Sequence, residues 1–244
     1  MTDSISIISP IHQNELHIKN FVESLYAHVV ADLKKQKITY EVLLAEDGST
    51  DRTKEILYSL KKKYDFTLFE DSRKLGYAKA SKNLIKKAKG SVIFFLDSDG
   101  EIDPKSFWKL YDLMKTGKYD LVNGFKLHRK PLYRFFISRT NNLILNTLFW
   151  TGVHDANAGC KMYRKKVLAP IVDICSLKYN FNAEQLIRLR NQNRKIVEVG
   201  VPHFARESVV FQPNKLFKIV FLALIELFQF RFTLWKEALK IEKK

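Results

Sequence analysis

The sequence predicts an α/β domain built on a mostly parallel, doubly wound sheet flanked by helices. Two short runs, Val42-Leu43-Leu44-Ala45 and Ser91-Val92-Ile93-Phe94-Phe95-Leu96, are apolar almost throughout, as strands covered on both faces must be. Each leads directly into an acidic cluster, Glu46-Asp47-Gly48-Ser49-Thr50-Asp51 and Asp97-Ser98-Asp99-Gly100-Glu101. Helical patterns alternate with the strands, and the resulting order βαβαβαβ is that of a parallel sheet with crossover helices.

The elements follow in order. Ser4–Ser9 is the opening strand, and a helical pattern covers residues 15–35. Val42–Ala45 is the second strand. Gly48 permits the tight turn after it, and Asp51 is placed to cap the helix Thr53–Lys62. Phe66–Phe69 is the third strand, Tyr77–Lys87 the next helix and Ser91–Leu96 the fourth strand, with another helix opening after Pro104. The last helix covers residues 215–240. Drawn at about 100° per residue, it collects Lys215, Lys218, Glu226, Gln229, Lys236, Glu237 and Lys240 in one stripe, with Arg231 outside it. Its other positions are mostly Leu, Phe, Ile and Trp. So wide an apolar surface must meet the core, a second subunit or a bilayer surface. Its longest uncharged apolar run, Ile219–Ile225, is far short of the roughly 20 residues that cross a bilayer. Residues 1–212 therefore form the α/β domain and 213–244 an amphipathic helical tail.

The chain's 244 residues are 46% hydrophobic, which suits a folded domain with a large core. The polar start Met1-Thr2-Asp3-Ser4 does not fit a signal peptide, and Cys160 and Cys175 lack metal-ligand spacing, so a reducing cytoplasmic setting is expected. The formal charge is +16. Residues 121–154 carry Lys126, Arg129, Lys130, Arg134 and Arg139 with no acid, and Lys161, Arg164, Lys165 and Lys166 follow. This basic surface beside acidic strand ends suits a phosphate-bearing substrate or an anionic membrane, and nucleic acid is not expected as a partner. The rival class is a non-catalytic protein that binds nucleotide or nucleic acid through its charge.

Acidic groups at the carboxyl ends of parallel strands make a ligand crevice. In Asp97-x-Asp99 the two side chains share a side of the chain and can converge on one ion. Such oxygen ligands suit Mg²⁺ or Mn²⁺, and Glu101 repeats the spacing as a third candidate ligand. Asp47 is placed to accept hydrogen bonds from a nucleobase.

Six segments in this order resemble the family 2 inverting glycosyltransferases of GT-A fold. They are Ile8-Ser9-Pro10-Ile11-His12-Gln13-Asn14-Glu15, the Glu46–Asp51 cluster, Leu75-Gly76-Tyr77-Ala78-Lys79-Ala80-Ser81-Lys82-Asn83, Asp97-Ser98-Asp99, His154-Asp155-Ala156-Asn157-Ala158-Gly159-Cys160-Lys161-Met162-Tyr163 and Phe181-Asn182-Ala183-Glu184. The resemblance spans about residues 4–212. Val199-Gly200-Val201-Pro202-His203-Phe204-Ala205-Arg206 looks most like the dolichyl- and polyprenyl-phosphate sugar synthases. Departures fall on the acceptor side. Ala158-Gly159-Cys160-Lys161 stands where Gly-Gly-Phe-Arg is usual, Asn123-Gly124-Phe125-Lys126 replaces a Gly-Ser-Arg sequence, and Arg206-Glu207-Ser208 lacks the usual following glycine and Ser-Lys.

The resemblance implies an enzyme that takes a UDP- or GDP-sugar as donor, with Pro10 and Glu15 on the nucleoside wall, Asp47 on the base, Asp97 on the ribose and metal, and Asp99 on the metal bridging the diphosphate. Pro10 also ends the first strand, and Glu15 can serve a helix amino terminus instead. Lys126, Arg139, Arg206 and Glu184 fall on the acceptor side, where a guanidinium binds phosphate through two parallel bonds. A phosphate acceptor is already ionised, whereas a glycan hydroxyl requires a base. Asp155 is either that base or a partner that holds an arginine. The acceptor is accordingly a polyprenyl phosphate or a glycan hydroxyl, the enzyme sits at the cytoplasmic face of a membrane, and a homo-oligomer is compatible with the apolar tail.

Overall fold

The structure, a computed structural model, describes residues 3–71, 73–127, 132–204 and 213–241, of which 132–136, 213–217 and 240–241 by backbone alone. Among these residues seven strands form one sheet in the order β3-β2-β1-β4-β6-β5-β7. These are β1 Ile5–Ile11, β2 Tyr40–Asp47, β3 Thr67–Asp71, β4 Val92–Leu96, β5 Leu121–Lys126, β6 Cys160–Arg164 and β7 Ile196–Val201. β6 runs antiparallel to both its neighbours, and every other pairing is parallel. The four expected strands are all present, with β1 and β2 each carried two residues further, to Ile11 and Asp47.

The expected 15–35 helix is α1 Ile18–Leu25, a π-helical turn Tyr26–Val30 and α2 Ala31–Lys35. α3 Thr53–Lys61, α4 Tyr77–Lys87 and α5 Ser106–Met114 follow. Asp51 Oδ1 accepts from the Thr53 N–H at 3.1 Å and so satisfies a free donor at the start of α3, although Arg52, and not the expected Asp51, stands at the N-cap position. Beyond β5 come α6 Leu132–Phe149, α7 Lys165–Ile174, α8 Phe181–Asn191 and the long α9 Pro213–Ile241.

Alternation along the strands divides the core into two layers. Val92, Phe94 and Leu96 pack on one face with residues of α1, α2, α3 and α5, while Ile93 and Phe95 pack on the other with residues of α4, α6, α7, α8 and α9. Both faces being covered explains why the central strands read as unbroken apolar runs. Truncating Phe94, which is fully buried, to Ala would cost about 3–5 kcal/mol. α9 joins this core through Leu227 and Phe230, the latter 5.5 Å from the Phe149 ring.

Candidate active site

The chain runs β1 to β2 to β3 on one side and returns to place β4 on the other side of β1. Such a reversal opens a crevice beyond the carboxyl ends of the strands. A cavity of about 380 Å³ lies there, lined by Pro10 near the end of β1 and His12 just after it, Asp47 at the end of β2, Asp97 and Asp99 after β4, and Tyr77 at the start of α4. Lys74, Lys178 and Tyr179 also line it. The fold thus brings Pro10, Asp47, Asp97 and Asp99 together from three strands.

Asp47 is 2% exposed. Its Oδ1 accepts from the Leu75 N–H at 2.6 Å and its Oδ2 from the Gly76 N–H at 2.9 Å, so the carboxylate holds the loop that opens α4. Gly76 takes φ +93°, the backbone setting that starts this helix and favours glycine. Asn14 ties the β1 loop to the same region, donating from Nδ2 to the Ser98 carbonyl at 2.6 Å and to Ser98 Oγ at 3.0 Å. Lys74 Nζ donates to His12 Nε2 at 2.8 Å, which brings a positive charge to the cavity wall.

Asp97 is fixed by three contacts. Its backbone N–H donates to the Gly159 carbonyl at 2.8 Å, and its Oδ1 accepts from the Tyr77 hydroxyl at 2.9 Å. A Cβ on Gly159 would lie 1.8 Å from Asp97 Oδ2, so only glycine fits there. Burial and the neighbouring Asp99 charge push the Asp97 carboxyl up to about 7, against the pull of Lys126 and the Tyr77 hydroxyl. Two crowded carboxylates of this kind match a divalent cation, which relieves their repulsion and takes further ligands from phosphate and water. Among the described residues no three His, Cys, Asp or Glu side chains gather as a metal-ligand group.

Glu101 is 2% exposed and forms an ion pair with Lys126, with His203 Nε2 at 3.7 Å. The third carboxylate is therefore engaged by a lysine, and the Lys126 ammonium is held at that pair. Glu15 does not line the cavity: its Oε2 accepts from the Arg52 N–H at 3.0 Å, just ahead of α3. Glu184 is fully buried, its Oε2 accepting from the Ser176 and Leu177 N–H groups at 2.8 and 2.7 Å and its Oε1 from Arg188 Nε at 2.9 Å. It anchors the segment that continues into Lys178 and Tyr179.

Arg139 is exposed on α6 and lines a second cavity of about 550 Å³ with Asn142, Asn146 and His154. Asp155, next in sequence, is 7% exposed. Arg206 lies outside the described residues, as do Arg129 and Lys130. The backbone of Arg134 alone is described.

Lys161 departs furthest from expectation. Read from sequence as part of a basic surface cluster, it is 0% exposed, with Nζ donating to the carbonyls of Ala156 at 2.9 Å and Asn182 at 2.8 Å. Burial lowers its amine to about 7, although the charges of Asp155 and Asp97 both act to raise it. Lys161 thus lies in the field of both the Asp155 and the Asp97 carboxylates. Tyr77, Asn182 and Asn14 were also missed as site residues, although each stands inside one of the six segments quoted above.

A family model described as glycosyl transferase family 2 matches residues 6–171, which include both acidic clusters and Asp155. The chain belongs to glycosyl transferase family 2. It is 24% identical over 81% of its length to glycosyltransferase AglD of Haloferax volcanii and, again at 24% over 81%, to a dolichyl-phosphate beta-glucosyltransferase of Dictyostelium discoideum. It is 25% identical over 93% of its length to a dodecaprenyl-phosphate galacturonate synthase of Rhizobium johnstonii. The chain spans 32%, 65% and 68% of those three relatives. Its fold is the GT-A fold. It superposes with a TM-score of 0.72 at 18% identity on glucosyl-3-phosphoglycerate synthase from Mycobacterium tuberculosis, solved with Mn²⁺, uridine diphosphate and phosphoglyceric acid, covering 94% of this chain and 78% of that one.

Proposed function

We propose that this family 2 glycosyltransferase moves a sugar, with inversion, from a UDP- or GDP-sugar to a polyprenyl phosphate at the cytoplasmic face of a membrane. The observation that carries the reading is the Asp97 and Asp99 pair set beside Asp47 in one crevice at the strand reversal. Asp97 and Asp99 would hold Mg²⁺ or Mn²⁺, which offsets the charge that develops on the departing nucleoside diphosphate. Tyr77 and Gly159 keep Asp97 in place, Pro10 and Asp47 frame the nucleoside, and Lys74 brings a cation toward the diphosphate.

The acceptor half is drawn from Arg139 in the second cavity and from Arg206. A phosphate oxygen is ionised at neutral pH and attacks the anomeric carbon without a strong base, which leaves Asp155 to orient basic groups. Relatives named for dolichyl and dodecaprenyl phosphate support this class of acceptor.

The test pairs donor and acceptor assays. Transfer should require Mg²⁺ or Mn²⁺, and Asp99→Ala should lower turnover by orders of magnitude; full activity in EDTA would exclude the metal role. With labelled UDP- and GDP-sugars and short polyprenyl phosphates, product should pass into organic solvent and be lost in Arg139→Ala or Arg206→Ala. Transfer only to a water-soluble glycan, abolished by Asp155→Asn, would overturn the lipid acceptor and make Asp155 the base. Salt-dependent binding of nucleic acid with no response to nucleotide sugars would overturn the whole reading.

A further inference from the structure

α9 has two apolar faces, and among the described residues one of them is buried against the domain. Leu227 and Phe230 enter the core, and the acids of the helix turn the same way. Glu226 accepts from the backbone N–H groups of Lys178 and Tyr179, each at 2.9 Å, and Glu237 accepts from Arg188 Nη1 at 3.1 Å. The Ala223 carbonyl accepts from Asn180 Nδ2 at 3.0 Å.

The other face carries Phe221, Ile225, Phe228, Phe232, Trp235 and Leu239, spaced alternately four and three residues apart, so that they align along the helix. Phe221 is 64% exposed, Phe228 61% and Trp235 55%. Basic groups flank this stripe. Exposed Lys218 and Lys236 lie about 60° to one side and exposed Arg231 about 80° to the other at 100° per residue, and Lys236 Nζ sits 4.4 Å over the Phe232 ring. Among the described side chains of α9, both acids are paired with the domain, so the outer face combines aromatic groups with positive charge alone.

We propose that this outer face of α9 docks in the headgroup region of an anionic bilayer. Charge decides between bilayer and second copy. A seam between two such helices would bring Lys218, Arg231 and Lys236 of both copies together with no described acid on that face to pair them, whereas anionic lipid headgroups neutralise all three. Trp and Phe rings beside lysines are the composition of a helix lying in the interface plane, and no helix among the described residues is long and apolar enough to cross a membrane. Through Glu226 the docked helix also holds Lys178 and Tyr179, two residues of the donor cavity wall. Docking therefore fixes that cavity with respect to the lipid surface. This deepens the acceptor reading above, but the experiment reads vesicle binding and not transfer, so failure of one is distinguishable from failure of the other.

The full chain is mixed with vesicles of phosphatidylcholine alone or with added phosphatidylglycerol and floated through a density gradient. It should float with the anionic vesicles, less so at high salt, with a blue shift of tryptophan fluorescence. The Phe228→Ser/Trp235→Ser variant should bind about tenfold more weakly with an unchanged circular dichroism spectrum, and Lys236→Glu should weaken binding while leaving the apolar stripe intact. The charge variant keeps the test decisive should the double variant fail to fold. Absence of flotation, or equal flotation of parent and variants, overturns the proposal. So does a dimer, seen by sedimentation, that the stripe variant converts to monomer while vesicle binding stays unchanged.

Discussion

The Tyr77 hydroxyl donates to Asp97 Oδ1 at 2.9 Å while accepting from Asn182 Nδ2 at 2.8 Å, which links the start of α4, the end of β4 and the start of α8 through one phenol. Burial and the Asp97 charge push the Tyr77 phenol well above its ordinary value, so it remains a donor throughout the working pH range. A hydrogen bond to a charged group contributes about 1.5–3 kcal/mol. Tyr77→Phe should therefore weaken Mn²⁺-dependent donor binding by roughly 10- to 100-fold and lower the unfolding midpoint by a few degrees, as read by calorimetric titration and thermal denaturation.

Gly159→Ala tests the same carboxylate from the other side. Its methyl would need the space of Asp97 Oδ2, 1.8 Å away, so the carboxylate must rotate out of place. The variant should lose metal-dependent nucleotide binding by at least about tenfold, an effect measured by titrating Mn²⁺ and nucleoside diphosphate together. Unchanged affinity would mean that Asp97 has freedom the packing does not suggest.

Glu184→Ala should act on stability. It removes the acceptor for two backbone amides and leaves the Arg188 guanidinium, 5% exposed, without its Nε partner. Breaking a buried pair from one side costs about 3–5 kcal/mol, which urea denaturation resolves readily. Donor binding should weaken as well, because the anchored segment runs on into Lys178 and Tyr179.

Lys161 gives stability a pH dependence of definite sign. Its amine is lowered to about 7 in the folded protein from an ordinary value of 10.5, so between these limits the unfolded chain holds the extra proton. Its contribution to stability therefore rises with pH across that window and is least favourable below it. Denaturation at two pH values inside the window should show a larger gain for the parent than for Lys161→Met. An equal gain would place the charge elsewhere.

The parts of the fold that were legible share a physical cause. β1, β2 and β4 are buried on both faces and so read as apolar runs, and the acids that follow them mark where the crevice opens. β6 carries Lys161 and Arg164 among its five residues and lacks that signature. Lys161 was read as surface because lysine is seldom buried, and what permits its burial is a pair of main-chain carbonyls that leave no trace in sequence. Glu184 and Glu226 are alike in this respect, since both meet backbone N–H groups of one loop. For α9 the pattern showed how much of the helix was apolar. It did not show which part faced inward, because either face is greasy enough to pack.

The place of β6 in the sheet also governs how the chain assembles. Strands β1 to β4 can pair as soon as the first half of the chain exists, but β4 then carries an open edge that includes Phe95 and Leu96 until Lys161 and Cys160 arrive beside them. An exposed central edge is a template for other chains, and a contact so distant in sequence forms late. The same arrival delivers Gly159 to Asp97. The nascent protein thus covers an open strand edge and fixes the backbone of Asp97 in a single event, so a substitution that slows strand insertion would be met as poor expression before any catalytic defect was measured.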